Sequence, residues 1–319
     1  MVSIRQKKPS IKVNKKTRRG RGKQNKIFEE TFSIWGNNAN GLKAKISSLK
    51  ANIEHFQTPS CITIQETKLR QANSIKLKGY KIFEKIINGF GGGLLTAVVE
   101  DLEPVLISDG DEESEVLVVQ MKVGKQNIRL INSYGPQEDE DWPKKVLFWN
   151  TLEKEIISAL DESCFILIQM DANAKVGAEV LKGDPNKQSV NGKLLMELLK
   201  RHNLNLLNAS DSCQGVITRH RKTLNGDEKS VLDYVIICGG LLNHFQKMII
   251  DEDRLHTLTK YASTKGVQHK IESDHNPLFC QFSIKYKKES IKRERTSYYN
   301  FKNCENQEKF FLKPTIQVI

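Results

Sequence analysis

Short apolar segments separated by polar turns account for most of the regular structure that the chain predicts. Alternating or continuous apolar positions over such short stretches are typical of β-strands. We predict strands at residues 31–36, 61–64, 79–87, 92–99, 116–123, 128–134, 164–170, 204–207, 215–218, 231–237 and 277–282. Several of them follow one another closely, which favours hairpins over parallel crossovers.

Three segments have the wider apolar spacing of amphipathic helices, namely residues 42–56, 142–160 and 192–201. Asp141 and Pro143 provide a start signal for the second of them. Because the strands far outnumber the helices, the pattern predicts two packed sheets with helices on the outside, an α/β sandwich.

The composition limits the class of protein. A chain of 319 residues can bury a large core, and we expect one large α/β domain. Its six cysteines form no Cys-x-x-Cys pair and no zinc-like spacing with histidine, which indicates free thiols in a reducing, intracellular compartment. No segment has the apolar length of a membrane span, and the basic start lacks the apolar part of a signal peptide, so we expect neither membrane insertion nor secretion.

The positive charge lies mainly on the two ends of the chain. Residues 1–28 contain eleven basic residues and no acid, so only +1 of the formal net charge of +12 belongs to the rest. Residues 285–313 carry nine basic and four acidic residues, a net +5, which leaves about −4 for the middle. We predict a disordered basic arm at residues 1–28, a folded domain at residues 29–284 and a basic linker at residues 285–319. The arm is expected to attract polyanions such as DNA, or to act as a nuclear-import signal.

Five polar clusters stand at or within the predicted strands and carry the candidate chemistry. They are Asn38-Ala39-Asn40-Gly41, Gln65-Glu66-Thr67, Asp171-Ala172-Asn173, Leu232-Asp233-Tyr234 and Ser273-Asp274-His275. Four of the five abut an apolar run, so their carboxylates, amides and imidazole are expected to gather at strand ends. Such a group can hold a phosphate and a divalent metal.

Each cluster also has an ordinary structural explanation. Glu66 follows a strand and can bind Mg²⁺, but a glutamate in that position is often only solvated. Asp171 and Asn173 would share one face of an extended backbone, yet Asp and Asn also favour turns. Asp233 is harder to explain, because a carboxylate inside an apolar strand needs a partner. We predict that this partner is His275.

The ordered set of clusters, together with Tyr134 in Asn132-Ser133-Tyr134-Gly135-Pro136, resembles the endonuclease/exonuclease/phosphatase superfamily. Within it, the resemblance is greatest to the apurinic-endonuclease-like domains of non-LTR (LINE-like) retrotransposons, and it covers residues 31–283. It implies a four-layer α/β sandwich of two largely antiparallel mixed sheets, with the active site along one edge.

The resemblance also implies roles for individual residues. Glu66 would be the principal Mg²⁺ ligand, with Asn38 and Asp274 on the metal side, and Mn²⁺ is a possible substitute. Asp171 would activate the attacking water, Asn173 would orient it, and Tyr134 would contact the scissile phosphate. His275, held by Asp233, would stabilise the phosphorane, and Thr218 is a weaker candidate for a phosphate contact. The family usually has glycine where Met170 stands and an acid where Asn40 stands, but neither change removes one of these groups.

The resemblance implies a Mg²⁺-dependent endonuclease that nicks DNA and leaves a 3′-hydroxyl for target-primed reverse transcription. The expected partner is DNA, the expected compartment is the nucleus or otherwise the cytoplasm, and element RNA or a reverse transcriptase is a further possible partner. The chain would then be a fragment that stops before the polymerase. Two alternatives remain: another phosphodiesterase or phosphatase acting on inositol phosphates, lipids or nucleotides, and a non-catalytic nucleic-acid-binding remnant.

Overall fold

The computed structural model describes residues 27–56, 58–87, 91–224, 226–264 and 267–289. Two large sheets and two separate hairpins contain the strands of these ranges. The strands are β1 Ile27–Asn38, β2 Cys61–Gln65, β3 Tyr80–Lys85, β4 Leu94–Val99, β5 Val105–Ser108, β6 Val116–Val123, β7 Gln126–Tyr134, β8 Phe165–Asp171, β9 Leu204–Leu206, β10 Cys213–Gln214, β11 Arg219–Thr223, β12 Gly226–Ser230, β13 Asp233–Cys238, β14 Phe245–Ile250, β15 Thr259–Thr264, β16 Val267–Glu272 and β17 Leu278–Glu289.

The helices are fewer and connect or cover the sheets. They are α1 Ile46–His55, α2 Trp142–Asp161, α3 Val190–Arg201 and α4 Gly239–Leu242, with 3₁₀ turns at Lys43–Lys45, Glu100–Leu102 and Leu207–Ala209. No helix in the described ranges is long and apolar enough to cross a membrane.

The first sheet has the strand order β10-β14-β17-β1-β2-β4-β3 and the second has β5-β6-β7-β8-β13-β9. Most neighbours are antiparallel. The parallel pairs are β1 with β2, β7 with β8, and β10 with β14. Helix α1 connects β1 to β2 and α2 connects β7 to β8, because parallel neighbours need a crossover. Strands β1 and β2, like β7 and β8, therefore end at the same edge of their sheet.

Two apolar cores define the layers. One contains residues from both sheets, such as Trp35 and Ile62 from the first and Leu130 and Leu167 from the second. The other joins the outer face of the second sheet to α2 and α3. Leu49 of α1 belongs to the first core, so a helix also covers the first sheet. The predicted α/β sandwich of two largely antiparallel mixed sheets, with helices outside, is confirmed.

The central elements were predicted well. Strand β6 has the predicted bounds, and α2 differs by one residue. Strand β8 is buried along almost its whole length, as expected for an apolar run in the middle of a sheet. The predicted strand at residues 277–282 is longer than expected, because β17 continues to Glu289 and pairs with β1 back to Ile27.

One predicted strand is wrong. Residues 215–218 form no strand, because Gly215 has φ +86° and the backbone N–H groups of Val216 and Ile217 donate to the Glu252 carboxylate. The following segment, whose backbone we did not assign to a strand, forms the hairpin β11–β12. Strands β5, β14, β15 and β16 were also missed. Residues 1–26 of the predicted arm and residues 290–319 of the predicted linker lie outside the described residues.

Candidate active site

The predicted polar clusters meet where strands of both sheets end. Asn38 is the last residue of β1 and is in register with Gln65, the residue before Glu66. In the second sheet, Asp171 at the end of β8 is in register with Tyr134 on one side and with Asp233 on the other. His275 lies just before β17 and forms an isolated bridge with Arg219. The structure thus brings both groups of strand ends to one edge.

The side chain of Asn38 connects the two groups. Its Nδ2 donates to Glu66 Oε1 at 3.2 Å and to Asp171 Oδ2 at 2.8 Å, and its Oδ1 accepts from the backbone N–H of Asn40 at 2.9 Å. Asn38 is fully buried. One amide therefore fixes the relative positions of a carboxylate from the first sheet and a carboxylate from the second.

Glu66 is held as an anion. Burial alone would raise the pKa of its carboxyl, but hydrogen bonds from the Tyr134 hydroxyl and Lys68, followed by the Lys68 charge and Asn38, keep that pKa below its usual value. Tyr134 Oη donates to Glu66 Oε1 at 2.7 Å, and Lys68 Nζ lies 3.0 Å from Glu66 Oε2. The same Lys68 Nζ donates to Asn40 Oδ1 at 2.7 Å. The Lys68 ammonium therefore bridges the Glu66 carboxylate and the Asn40 amide oxygen.

Asp171, His275 and Asp233 form a buried triad in which two carboxylates flank one imidazole. His275 Nδ1 lies 2.9 Å from Asp233 Oδ2, and His275 Nε2 lies 3.7 Å from Asp171 Oδ2. Burial and the Asp233 charge raise the pKa of Asp171, although His275 and Asn38 oppose the shift. Burial disfavours a charged imidazole, but the two carboxylates raise the pKa of His275 to about 9. The predicted pairing of Asp233 with His275 is present in this geometry.

The loop after β8 does not follow the expected extended path. The strand ends at Asp171, and Asn173 has φ +45°, so a shared strand face is not what brings the two side chains together. Instead, the backbone N–H of Asn173 donates to Asp171 Oδ1 at 3.0 Å, and Asn173 Nδ2 donates to the Gly135 carbonyl at 2.8 Å. The backbone of Glu66 has a similar left-handed conformation, with φ +46°. Such conformations cluster at functional sites.

Asp274 and Thr218 lie at the periphery of the triad. Asp274 Oδ2 accepts from Arg219 Nε at 2.9 Å, and the charges of His275 and Arg219 hold the pKa of Asp274 low despite its burial. Thr218 Oγ1 accepts from the backbone N–H groups of Leu232 and Asp233 at 2.9 and 3.0 Å. Thr218 therefore fixes the entry into β13, and a phosphate contact by its hydroxyl stays a prediction.

Two basic residues at the site were missed from the sequence. Lys45 is buried, and its Nζ donates to the carbonyls of Ala39 and Asn40, beneath the first polar cluster. Arg254 donates to the carbonyls of Ser273 and Asp274 and, at 3.0 Å, to Asn276 Oδ1. Both lie in segments whose local pattern carries no chemical signal, and only the tertiary fold brings them to the polar clusters.

Two sets of groups can be tested as a cation site. Within the described residues, the side chains that bring three ligand atoms within 4.8 Å of one another are Asp171, Asp233 and His275. In this triad His275 Nδ1 lies 2.9 Å from Asp233 Oδ2 and Nε2 lies 3.7 Å from Asp171 Oδ2, so both ring nitrogens already face a carboxylate. The carboxylate of Glu66 and the amide oxygen of Asn40, already bridged by the Lys68 ammonium, fit a hard cation better.

Comparisons with known proteins agree with this architecture. No protein-family model and no curated protein matches the chain. Among solved structures, the chain is similar to the endonuclease domain of TRAS1, a telomere-specific non-LTR retrotransposon, with 18% identity and a TM-score of 0.58 over 79% of this chain and 99% of that one.

Two AP endonucleases are similar to a comparable extent. For LMAP from Leishmania major, the identity is 17% and the TM-score 0.62 over 79% of this chain and 88% of that one. For the enzyme from Archaeoglobus fulgidus, the identity is 17% and the TM-score 0.59 over 79% of this chain and 100% of that one. The resemblance inferred from the polar clusters is thus confirmed at the level of the fold.

Proposed function

We propose that this protein is a metal-dependent phosphodiesterase that nicks one strand of duplex DNA and leaves a 3′-hydroxyl and a 5′-phosphate. The observation that carries the proposal is the contact of Asn38 with both Glu66 and Asp171. It joins an anionic carboxylate suited to Mg²⁺ or Mn²⁺ to a buried carboxylate beside the imidazole of His275. A cation side and a proton-handling side thus adjoin one another, as phosphodiester hydrolysis requires.

The residues of the triad have complementary tasks. Asp171, whose pKa is raised by burial and by Asp233, can accept a proton from a water molecule held near it. The two carboxylates raise the pKa of His275 to about 9, so this buried imidazole can carry a positive charge and stabilise the charge that develops on the phosphorane oxygens. Asp233 keeps that imidazole oriented through Nδ1. Asn173 orients the water and the phosphate next to Asp171.

The metal side is built on Glu66. Asn38 and Tyr134 donate to this carboxylate. The charges of Asp274 and Glu66 both reach Lys45, where they oppose the lowering of its pKa by burial. A bound Mg²⁺ supplies Lewis-acid stabilisation of the leaving oxygen. Lys68 is partly exposed, so its ammonium can turn from the Glu66 and Asn40 oxygens when a cation binds.

Two surfaces of opposite charge adjoin the candidate site and favour one orientation of a bound nucleic acid. On the Tyr134 side, an open cleft of about 1120 Å³ is lined by acids, among them Glu66, Glu115 and Glu140. Next to it, a smaller cavity of about 390 Å³ is lined by Lys43, Lys68 and Arg70, and Lys68 is paired with Glu66. The basic surface attracts a phosphate backbone, and the acids around Glu66 attract the divalent cation that would meet the scissile phosphate there.

Target-primed reverse transcription is the biological role that we favour. A nick with a free 3′-hydroxyl is a primer, and a retrotransposon endonuclease domain is among the proteins that share this fold. In this role the 3′ end produced by the protein must be extendable by a polymerase, which distinguishes it from products with a blocked 3′ end.

The decisive experiment incubates supercoiled plasmid with Mg²⁺ and the parent protein, Asp171→Ala or His275→Ala. Nicking by the parent alone, at ends that a DNA polymerase extends, supports the proposal. Asp227→Ala is the matched control, because Asp227 is an exposed carboxylate on the β11–β12 hairpin that lies 3.1 Å from a histidine, His220. Equal nicking by all variants contradicts the assigned site, and DNA binding without nicking supports a binding protein. Arms with an abasic duplex and a phosphoinositide test the other substrates.

A further inference from the structure

The hairpin β15–β16 belongs to neither large sheet. Its six paired positions run from Thr259 opposite Glu272 to Thr264 opposite Val267. At about 3.4 Å per residue, each strand extends roughly 20 Å. An isolated two-stranded hairpin is marginal in water, so its position must be set at its base.

The base of the hairpin is fastened to the candidate active site. The backbone N–H of Ser273, the residue after β16, donates to the Leu258 carbonyl at 2.9 Å, and Ser273 Oγ donates to the Asn38 carbonyl at 2.6 Å. On the other strand, the backbone N–H of Thr259 donates to Ser48 Oγ at 3.2 Å. Asp274 and His275 follow immediately. The hairpin therefore has a fixed origin next to the residues assigned to the phosphate.

Beyond this base the hairpin exposes both faces. Tyr261 is 70% exposed and is paired directly with Lys270, so an aromatic ring and a basic side chain occupy one face. Ser263 and Gln268, paired with each other and both exposed, share that face, whereas Ala262 and His269 lie on the other face. The exposed side chains thus include an aromatic ring, a lysine and uncharged hydrogen-bonding groups, together with the aliphatic Val267 and Ile271.

The hairpin is poor in acids, which bears on the kind of partner it suits. Glu272, at its base, is the acid of its described residues and is already paired with Lys270 and, at 3.8 Å, with Arg254. Lys260, in the first strand, is close enough to Lys45 to lower the pKa of that buried lysine, after burial itself. The hairpin thus continues the basic side of the site and avoids its acidic cleft.

We propose that the β15–β16 hairpin enters a groove of duplex DNA beside the scissile phosphate and contributes to the choice of cleavage site. This inference rests on the proposed function. A two-stranded ribbon fits the major groove, and Gln, Ser and Thr side chains can hydrogen-bond to base edges. Ser263 and Gln268, on one face of the ribbon, supply the base-edge contacts, while Lys260 and Lys270, on its two strands, contact phosphates. A reach of roughly 20 Å corresponds to about six base pairs, at 3.4 Å per base pair.

The test uses the full chain with two double variants, Ser263→Ala/Gln268→Ala and Lys260→Gln/Lys270→Gln. Lys122→Gln is the matched control, since Lys122 is exposed at the end of β6 remote from Tyr134. Two properties are measured: equilibrium binding to a duplex in EDTA over a series of salt concentrations, and the map of nick positions on a randomised duplex with Mg²⁺. Thermal unfolding confirms that each variant is folded.

We expect the first double variant to lose about 5- to 10-fold of the preference at base pairs flanking the nick. The second should reduce the slope of log affinity against log salt by about 0.9 for each phosphate that the protein no longer neutralises. Unchanged binding and an unchanged nick map would overturn the inference while leaving the proposed function intact. A parent that binds duplex through the hairpin but does not nick would support the inference and refute the function. A parent that does not bind duplex would also overturn the inference.

Discussion

His275 Nδ1 lies 2.9 Å from Asp233 Oδ2, and both side chains are buried at the edge of the second sheet. The carboxylate fixes the orientation of the ring and leaves Nε2 directed towards Asp171, 3.7 Å away. Since Asp233 interrupts an otherwise apolar strand, the cost of burying its charge is offset by this imidazole. Asp233 therefore orients and stabilises a charged imidazole at a buried position.

Asp233→Asn should lower the rate of plasmid nicking by about 100-fold at saturating Mg²⁺. An amide can still occupy the space, but it removes the charge that favours the imidazolium and leaves the ring free to adopt the other tautomer. The measurement is the initial nicking rate under single-turnover conditions. Asp227→Asn removes an exposed carboxylate that is paired with His220 and should stay within twofold of the parent. A comparable loss in both variants would contradict a special role for the buried pair.

Glu66→Gln should raise the Mg²⁺ concentration needed for half-maximal nicking by about tenfold or more. The neutral amide keeps the shape of the side chain but loses the charge that attracts a hard cation. Direct titration with Mn²⁺, followed by electron paramagnetic resonance, measures metal binding without catalysis and should show the same shift. Glu84→Gln is the matched control, because Glu84 lines the same cleft and accepts from the Asn73 backbone. A metal requirement equal to that of the parent would show that Glu66 is not the ligand.

The sequence predicted the strand ends better than the contacts between them. Strand β8 and the polar residues after it were recognisable because a buried strand must be apolar and because Asp171 follows it directly. Asp233 was recognisable because its carboxylate stands inside an otherwise apolar strand and needs a partner. The Asn38–Asp171 contact joins residues 133 positions apart in different sheets, and no local pattern encodes how two sheets pack.

The missed elements share a physical cause. Strands β15 and β16 are exposed on both faces, so they lack the alternation that reveals a half-buried strand. The loop conformation of Asn173 depends on hydrogen bonds to Asp171 and Gly135, of which only the first is local. Arg254 acts on a loop twenty residues further along, through backbone carbonyls that the sequence does not display.

Arg254→Met should destabilise the loop that carries Asp274 and His275. The guanidinium donates to the Ser273 and Asp274 carbonyls and to Asn276 Oδ1. Its loss leaves the Ser273 carbonyl and Asn276 Oδ1 without this donor, whereas the Asp274 carbonyl still accepts from the His220 backbone N–H. We expect about 1 to 3 kcal/mol less unfolding free energy, measured by urea denaturation, together with nicking reduced by about tenfold. Arg201→Met removes an exposed arginine paired with Glu153 and should change either quantity little. If the variant is less stable but nicks DNA as fast as the parent, Arg254 stabilises the fold and does not position the candidate site.

Glu115 should make the protein less stable as the pH rises through neutrality. Burial, its main influence, together with the charges of Glu66 and Asp171, raises the pKa of this carboxyl from 4.5 to about 7, even though the Gly93 N–H donates to it at 2.6 Å. The folded state therefore keeps a proton that the unfolded chain releases near pH 4.5, so the stabilisation present below that pH is lost as the pH rises to about 7. After allowance for partial exposure, the loss is on the order of 2 kcal/mol.

Glu115→Gln tests this dependence, because the amide oxygen can still accept from Gly93 but cannot ionise. Between pH 5 and pH 8, measured by urea denaturation, the variant should lose about 2 kcal/mol less unfolding free energy than the parent and should be the more stable protein at pH 8. Glu113→Gln, at an exposed neighbouring position, should follow the parent. If the unfolding free energies of Glu115→Gln and the parent change with pH in parallel, the Glu115 carboxyl is ionised in the folded protein between pH 5 and pH 8. The cleft beside Glu66 then carries one more negative charge than the burial of Glu115 predicts.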